Sequence, residues 1–192
     1  MSYRINEIFY TIQGEGHNIG EPAVFVRFSG CNLKCAWCDT DFHHVKDMSA
    51  EDIVRNVCEL WPDKQTEAFV VLTGGEPSLQ ADKTLIDALH KQNCYIAIET
   101  NGTHELPEGI DWITCSPKAH SQLKISHADE VKVVYDESGD PEQWRGVIHS
   151  ENWLLQPLHI GTTSNVEQVM DYILTHPTWR LSVQLHKMIG FK

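Results

Sequence analysis

The sequence predicts an α/β fold, an incomplete TIM-like barrel with about six parallel strands and few helices. Short apolar runs alternate with amphipathic ones, the order expected of parallel βαβ units. The strand-like runs outnumber the helical ones, so the helices are too few for eight complete units. A cysteine-rich loop and a glycine motif follow the first two of these runs, and such barrels carry their chemistry on loops beyond strand C-termini.

The strands are expected at residues 23–29, 68–72, 94–99, 110–115, 131–135 and 152–156, which are of strand length and rich in β-branched or aromatic residues. The run from Leu181 to Leu185 is a candidate for one more. One helix is expected after Ser49, where Glu51 and Asp52 precede Ile53, Val57, Leu60 and Trp61 at helical spacing. A second spans 79–91, with Leu85, Ile86 and Leu89 on its apolar face. For the third, Ser164 and Glu167 read as a capping box ahead of Val169, Met170, Ile173 and Leu174, and Pro177 lies just beyond its end. The segment between the cysteine loop and Gly74 is compact, which leaves the helix count on that side open.

At 192 residues the chain is expected to form a single domain, 1–192, with a core of its own. Hydrophobic residues make up 41% and charged residues 22%, as in ordinary globular proteins. An early Glu7 and the lack of an apolar h-region argue against a signal peptide, and no apolar run approaches a membrane span. The expected location is the cytoplasm, where six cysteines read as thiols and metal ligands rather than disulfides. A net charge of −12 without a dense Lys/Arg cluster argues against nucleic-acid binding.

Cys31, Cys35 and Cys38 follow Gly30 in one short loop. Thiolates are the ligands of iron–sulfur clusters. Three of them can hold three irons of a cubane, leaving the fourth iron to chelate an amino and a carboxylate group. A structural zinc site completed by His43 or His44 is the competing reading. Cys58, Cys94 and Cys115 read as core residues. The second motif is Leu72-Thr-Gly-Gly-Glu-Pro77, in which glycines let backbone approach a ligand and Glu76 can receive an ammonium group. Taken alone, the glycine pair is no more than a tight turn.

Together the two motifs resemble the signature of the radical S-adenosylmethionine (SAM) superfamily, over Val24 to Gln156. The resemblance implies a [4Fe–4S] cluster that passes an electron to SAM, with hydrogen abstraction by a 5′-deoxyadenosyl radical. A more specific resemblance is carried by Phe9-Tyr-Thr-Ile-Gln-Gly-Glu-Gly16 and the run from Gly20 to Phe28. Cys38-Asp-Thr40, Glu99-Thr-Asn-Gly102, Ser116-Pro-Lys118, Gln156-Pro157 and Gln184-Leu-His-Lys187 add to it. These resemble the 7-carboxy-7-deazaguanine synthase family over nearly the whole chain. That family converts 6-carboxy-5,6,7,8-tetrahydropterin to 7-carboxy-7-deazaguanine with loss of ammonia, for queuosine and other 7-deazapurines. The resemblance also implies Mg²⁺, a homodimer, and a flavodoxin or ferredoxin as electron donor.

Residue by residue, Glu15 can accept the adjacent N–H donors of a pterin edge, with Gln13 and the backbone of Ile12 and Gly14 completing it. The competing reading of this segment is a glycine-rich turn. Arg27 interrupts an apolar strand on the face of Phe25 and Ser29, so it needs either a structural carboxylate or a ligand anion such as the substrate carboxylate. The family match assigns Mg²⁺ to Thr40, and SAM to Trp37, Cys38, Asp39, Gly75, Glu76, Ser116, Pro117, Lys118 and Gln156. Glu99 is placed on the SAM ribose, and Thr73, His186 and Lys192 on the substrate. Two other readings remain: a radical activase acting on a partner protein, and a non-catalytic metal-binding module.

Overall fold

The computed structural model describes residues 2–41, 44–136, 139–161 and 163–191. Its frame is one nine-stranded sheet. Strand β1 (Tyr3–Ile12) pairs antiparallel with β2 (Pro22–Phe28) and with the short β3 (Lys46–Met48). From β2 onward the pairing is parallel, through β4 (Ala68–Gly74), β5 (Cys94–Thr100), β6 (Trp112–Cys115), β7 (Glu130–Tyr135) and β8 (Asn152–Pro157). A hairpin of β9 (His159–Ile160) and β10 (Thr163–Ser164) follows, and β11 (Arg180–Leu181) then closes the sheet beside β8. Among the described residues the edge strands β3 and β11 do not pair, so the barrel is incomplete, as expected. All six predicted parallel strands are present.

Helix α1 (Ala50–Leu60) starts at Ser49, whose hydroxyl accepts from the Asp52 amide while the Asp52 carboxylate accepts from the Ser49 amide. It buries Ile53 and Val57. Helix α2 (Lys83–His90) is shorter than its periodicity suggested. Asp82 caps it through the Leu85 amide, and a 3₁₀ turn, Pro77–Leu79, occupies the start of the predicted span. Both helices cover the convex face of β2, β4 and β5, burying Val24, Val26, Phe28, Val70, Leu72, Ile96 and Ile98. A second apolar cluster joins Val131, Val133, Trp153, Leu155 and Trp179 to Val169 of helix α3 (Val166–Thr175). None of the described helices is long and apolar enough to cross a membrane.

Two expectations need correction. Ser164 does not cap α3; it is taken up by β10, where it pairs with His159, and Asn165 stands at the N-cap without a side-chain cap bond. The Asn165 amide is spent on tertiary ties instead, accepting from the Leu158 amide at 2.8 Å and donating to the Tyr135 carbonyl at 2.7 Å. The predicted seventh strand is only Arg180–Leu181. After Ser182 the chain turns inward and forms helix α4, Leu185–Ile189.

Strand β1 escaped the sequence reading because a bulge between Ile5 and Glu7 shifts its alternation. Tyr3 and Ile5 face the convex core, as does Ile8, while Phe9 faces the concave side with Phe25, Phe69, Val71 and Ala97. Above this apolar floor the concave face turns polar: Arg27, Thr73, Glu99, Thr114, Lys132 and Gln156 all line one cavity. Asn165→Ala is expected to destabilise by about 1–2 kcal/mol, the cost of two tertiary hydrogen bonds. Ser164→Ala should stay within about 0.5 kcal/mol. Urea unfolding checks the ranking, and the opposite order would restore Ser164 as the cap.

Candidate active site

The cavity at the C-terminal ends of the parallel strands has a volume of about 950 Å³ and is lined by all three cysteines of the loop after β2. That loop is seated on the one after β4. The Gly75 amide donates to the Phe28 carbonyl at 3.0 Å and the Glu76 amide to the Gly30 carbonyl at 2.9 Å. A Cβ on Gly75 would stand 2.0 Å from the Gly30 oxygen, and one on Gly74, at φ +127°, would stand 2.2 Å from the Phe28 oxygen. The glycine pair is thus required by backbone packing against the cysteine loop, and both glycines also line the cavity.

Glu76 differs from expectation. It is fully buried and does not line the cavity. Its carboxylate accepts from the Ser78 amide, the Thr100 hydroxyl and the Asn101 amide. It ties the β4 loop to the end of β5 rather than offering itself to SAM. The same contacts account for the run Glu99 to Gly102. Thr100 and Asn101 hold Glu76, the Asn101 side chain donates to Asn32 of the cysteine loop at 3.1 Å, and Glu99, Thr100 and Asn101 all line the cavity.

Among the described residues, no three His, Cys, Asp or Glu side chains converge on a single-ion position. Mononuclear zinc needs its ligands converged within about 2.3 Å of one ion, whereas a cubane is held by separate thiolates. The donor set, three free thiols on one cavity wall, therefore fits the cluster. Burial pushes the Cys31 and Cys35 thiols above the ordinary range, so iron must displace their protons as it binds. Among the remaining cysteines, burial pushes Cys94 and Cys115 up to about 12, which suits inert core residues. His43 and Lys192 lie outside the described residues.

The expected SAM residues Trp37, Cys38, Asp39, Gly75, Glu99, Ser116, Lys118 and Gln156 line the cavity, as does Thr40. Pro117 does not; it borders a much smaller pocket behind Trp37 and Lys118. Burial draws the Lys118 ammonium below its usual range. Its Nζ donates to the Ser116 hydroxyl at 2.8 Å and lies 5.6 Å from the centre of the Trp37 ring.

On the substrate side, Ile12, Gln13, Gly14, Glu15, Arg27, Thr73 and His186 are brought together on the same cavity. Arg27 meets a structural carboxylate, with Nε 3.1 Å from Glu7, and it still lines the cavity wall. Gln13 donates to Glu99 at 3.0 Å and accepts from the Glu15 amide at 3.1 Å. Helix α4 closes over this group. The Leu185 amide donates to the Gly14 carbonyl at 2.9 Å, and a Cβ on Gly14 would stand 2.6 Å from Nδ1 of His186. Lys187 is paired with Asp39, so the same helix holds the cysteine loop.

The sequence reading missed two residues that contact Glu15. Gln184 donates to its Oε1 at 2.8 Å, and Lys132, on β7, donates to its Oε2 at 2.6 Å. Burial opposes a charge on Glu15, but the Lys132 ammonium and both hydrogen bonds outweigh it, holding the carboxyl below its usual range. The signal for Lys132 was present: like Arg27, it is a lone cation inside an apolar strand.

An open barrel with three cysteines after its first parallel strand defines a radical SAM domain, and the Radical SAM superfamily profile matches residues 25–145. The 7-carboxy-7-deazaguanine synthase of Bacteroides thetaiotaomicron is 47% identical over 192 residues, covering 100% of both chains. That of Bradyrhizobium diazoefficiens is 42% identical over 211 residues, again covering 100% of each. Among solved structures, QueE from Escherichia coli matches with a TM-score of 0.76 at 29% identity, over 97% of this chain and 95% of that one. The chain belongs to the 7-carboxy-7-deazaguanine synthase family.

Gly75→Ala is expected to destabilise by about 1–3 kcal/mol through overpacking and to lower iron and sulfide content after reconstitution. A variant that loads a full cluster would contradict the seating described for this loop.

Proposed function

We propose that this protein converts 6-carboxy-5,6,7,8-tetrahydropterin into 7-carboxy-7-deazaguanine with loss of ammonia, within 7-deazapurine biosynthesis. The observation that carries this reading is Glu15, a carboxylate kept charged by Lys132 inside the cavity that Cys31, Cys35 and Cys38 also line. A carboxylate offers about four acceptor sites. Lys132 and Gln184 take one on each oxygen, which leaves one on each for the adjacent ring N–H and exocyclic amine of a pterin.

When bound, the cluster and SAM supply the one-electron chemistry that starts hydrogen abstraction. The chain's own residues bind and orient. Cys31, Cys35 and Cys38 would hold the cluster, and Trp37, Asp39, Ser116, Lys118 and Gln156, which line the same cavity, would bind SAM. Gln13 and Thr73 both donate to Glu99, which fixes that carboxylate between the two ligands. Arg27 is suited to the substrate carboxylate, since guanidinium pairs with planar anions. The Thr40 hydroxyl offers an oxygen ligand for Mg²⁺, a hard cation usually bound partly through its substrate. Helix α4 lies against the substrate side through the Leu185 amide, which donates to the Gly14 carbonyl, and His186, which lines the cavity.

The family relation and the paired Glu15 carboxylate in the cavity favour a small-molecule substrate over a protein one. The reading includes a single domain over 1–192, a homodimer, a flavodoxin or ferredoxin as electron donor, and a reducing compartment such as the cytoplasm. The anaerobically reconstituted protein should form 7-carboxy-7-deazaguanine only with SAM and a reductant present. Glu15→Gln should raise KM for the pterin about 10- to 100-fold, the weight of one charge-assisted hydrogen bond. An intact cluster with no product would overturn the assignment. SAM cleavage that depends on a protein instead would favour the activase.

A further inference from the structure

Strand β7 reads Glu-Val-Lys-Val-Val-Tyr, and its alternation puts two kinds of residue on its two faces. Val131 and Val133 join the convex apolar cluster. Lys132 and Val134 line the cavity, and Glu130 shares their parity. The Lys132 side chain is only 5% exposed, and lysine is almost never fully buried unless paired. Its Nζ is 2.6 Å from Glu15 Oε2 and 3.9 Å from Glu99 Oε1. One ammonium therefore stands between the carboxylate on the substrate side and the one on the cofactor side.

The surroundings leave Glu15 dependent on that ammonium. Glu99 on β5 and Glu130 on β7 are both acidic neighbours of Lys132. Glu130 is occupied elsewhere, accepting from the His17 amide and the Thr114 hydroxyl, and burial raises its carboxyl above the usual range. From α4 and the residue before it, Glu15 faces the neutral amide of Gln184 and the imidazole of His186. The cation of Lys187 is spent on Asp39, and that of Arg27 is engaged by Glu7. Of these cations, Lys132 alone contacts Glu15.

We propose that Lys132 is a positioning residue for substrate binding that acts through Glu15. It aims the carboxylate at the pterin edge and allows Glu15 and Glu99 to share one cavity without mutual repulsion. The inference rests on the pterin reading and adds to it a residue whose role runs through its contact with Glu15. Removing the ammonium takes away the strongest influence opposing desolvation of Glu15 and leaves only the Gln184 hydrogen bond and His186 against it, so its carboxyl pKa rises. As pH falls, the variant then protonates Glu15 earlier and loses the acceptor the pterin needs.

The test uses the full-length reconstituted enzyme, comparing wild type with Lys132→Met and Lys132→Arg, alone and in a Glu15→Gln background. Pterin affinity is measured by isothermal titration in parallel with kinetics. Lys132→Met should raise KM and the titrated Kd at least about tenfold while kcat changes less than about threefold. The acid limb of its kcat/KM profile should move up by about one pH unit or more, and Lys132→Arg, which keeps the charge, should hold the limb near wild type. In the Glu15→Gln background, Lys132→Met should add less than about threefold. An unchanged KM and acid limb, a loss confined to kcat, or an undiminished effect without Glu15 each overturn the proposal. If Lys132→Met fails to fold by circular dichroism, Lys132→Gln gives the same readout. A wild type that neither binds nor converts the pterin refutes the function itself, and this inference falls with it; an active wild type beside unshifted variants refutes the inference alone.

Discussion

The backbone approach between Gly75 and Gly30 is the constraint on which the rest of the site depends. Two parallel strands, β2 and β4, end side by side, and their outgoing loops must cross at a separation that no Cβ would permit. Two backbone hydrogen bonds hold the crossing, and the buried Glu76 carboxylate extends it to the end of β5 through Thr100 and Asn101. The cysteine loop is thereby given a rigid floor although it has little regular structure of its own. Anchoring on strand ends is what lets a loop hold a reactive group accurately.

A second constraint is electrostatic. The barrel interior is apolar at its base, around Phe25, Phe69, Val71 and Ala97, and charged toward its mouth. Charges removed from water persist only when paired and hydrogen-bonded. Here Lys132 pairs with Glu15 and Glu99 and Arg27 with Glu7, Lys187 meets Asp39 at the more exposed rim, and the Lys118 ammonium is held by hydrogen bonds to Ser116. The start of helix α4 joins two of these pairs, because Gln184, the residue before it, donates to both Glu15 and Asp39. The substrate wall and the cysteine loop are therefore mechanically connected, and disturbing either one reaches the other through the same short helix.

Legibility in the sequence followed the range of the interaction. The six parallel strands were readable because burial of both faces leaves short β-branched runs, and α1 because Ser49 and Asp52 satisfy each other locally. Failures came where a distant partner competed for a residue. Asn165 serves Leu158 and Tyr135 rather than its own helix, Ser164 is drawn into a hairpin, and the bulge after Ile5 hides the alternation of β1. Glu76 shows the same effect within the site. Its motif marks a functional loop, yet its side chain points into the protein, because Thr100 and two backbone amides need an acceptor there.

The sequence alone determined the chemistry available: three thiols in one loop, a glycine pair after the next strand, and Arg27, Glu15 and Thr40 on either side. Ligand type and spacing are local properties, so they can be read from the chain. Only the tertiary structure decided which charges meet. Lys132 is 117 residues from Glu15 along the chain, yet lies within 2.6 Å of it. That partnership arises from the curvature that turns the inward faces of β7 and its neighbours toward one cavity, and from the electrostatic gain when a buried ammonium and a buried carboxylate meet. The carboxylate named first from the sequence thus depends on a lysine whose role became visible only in the folded chain.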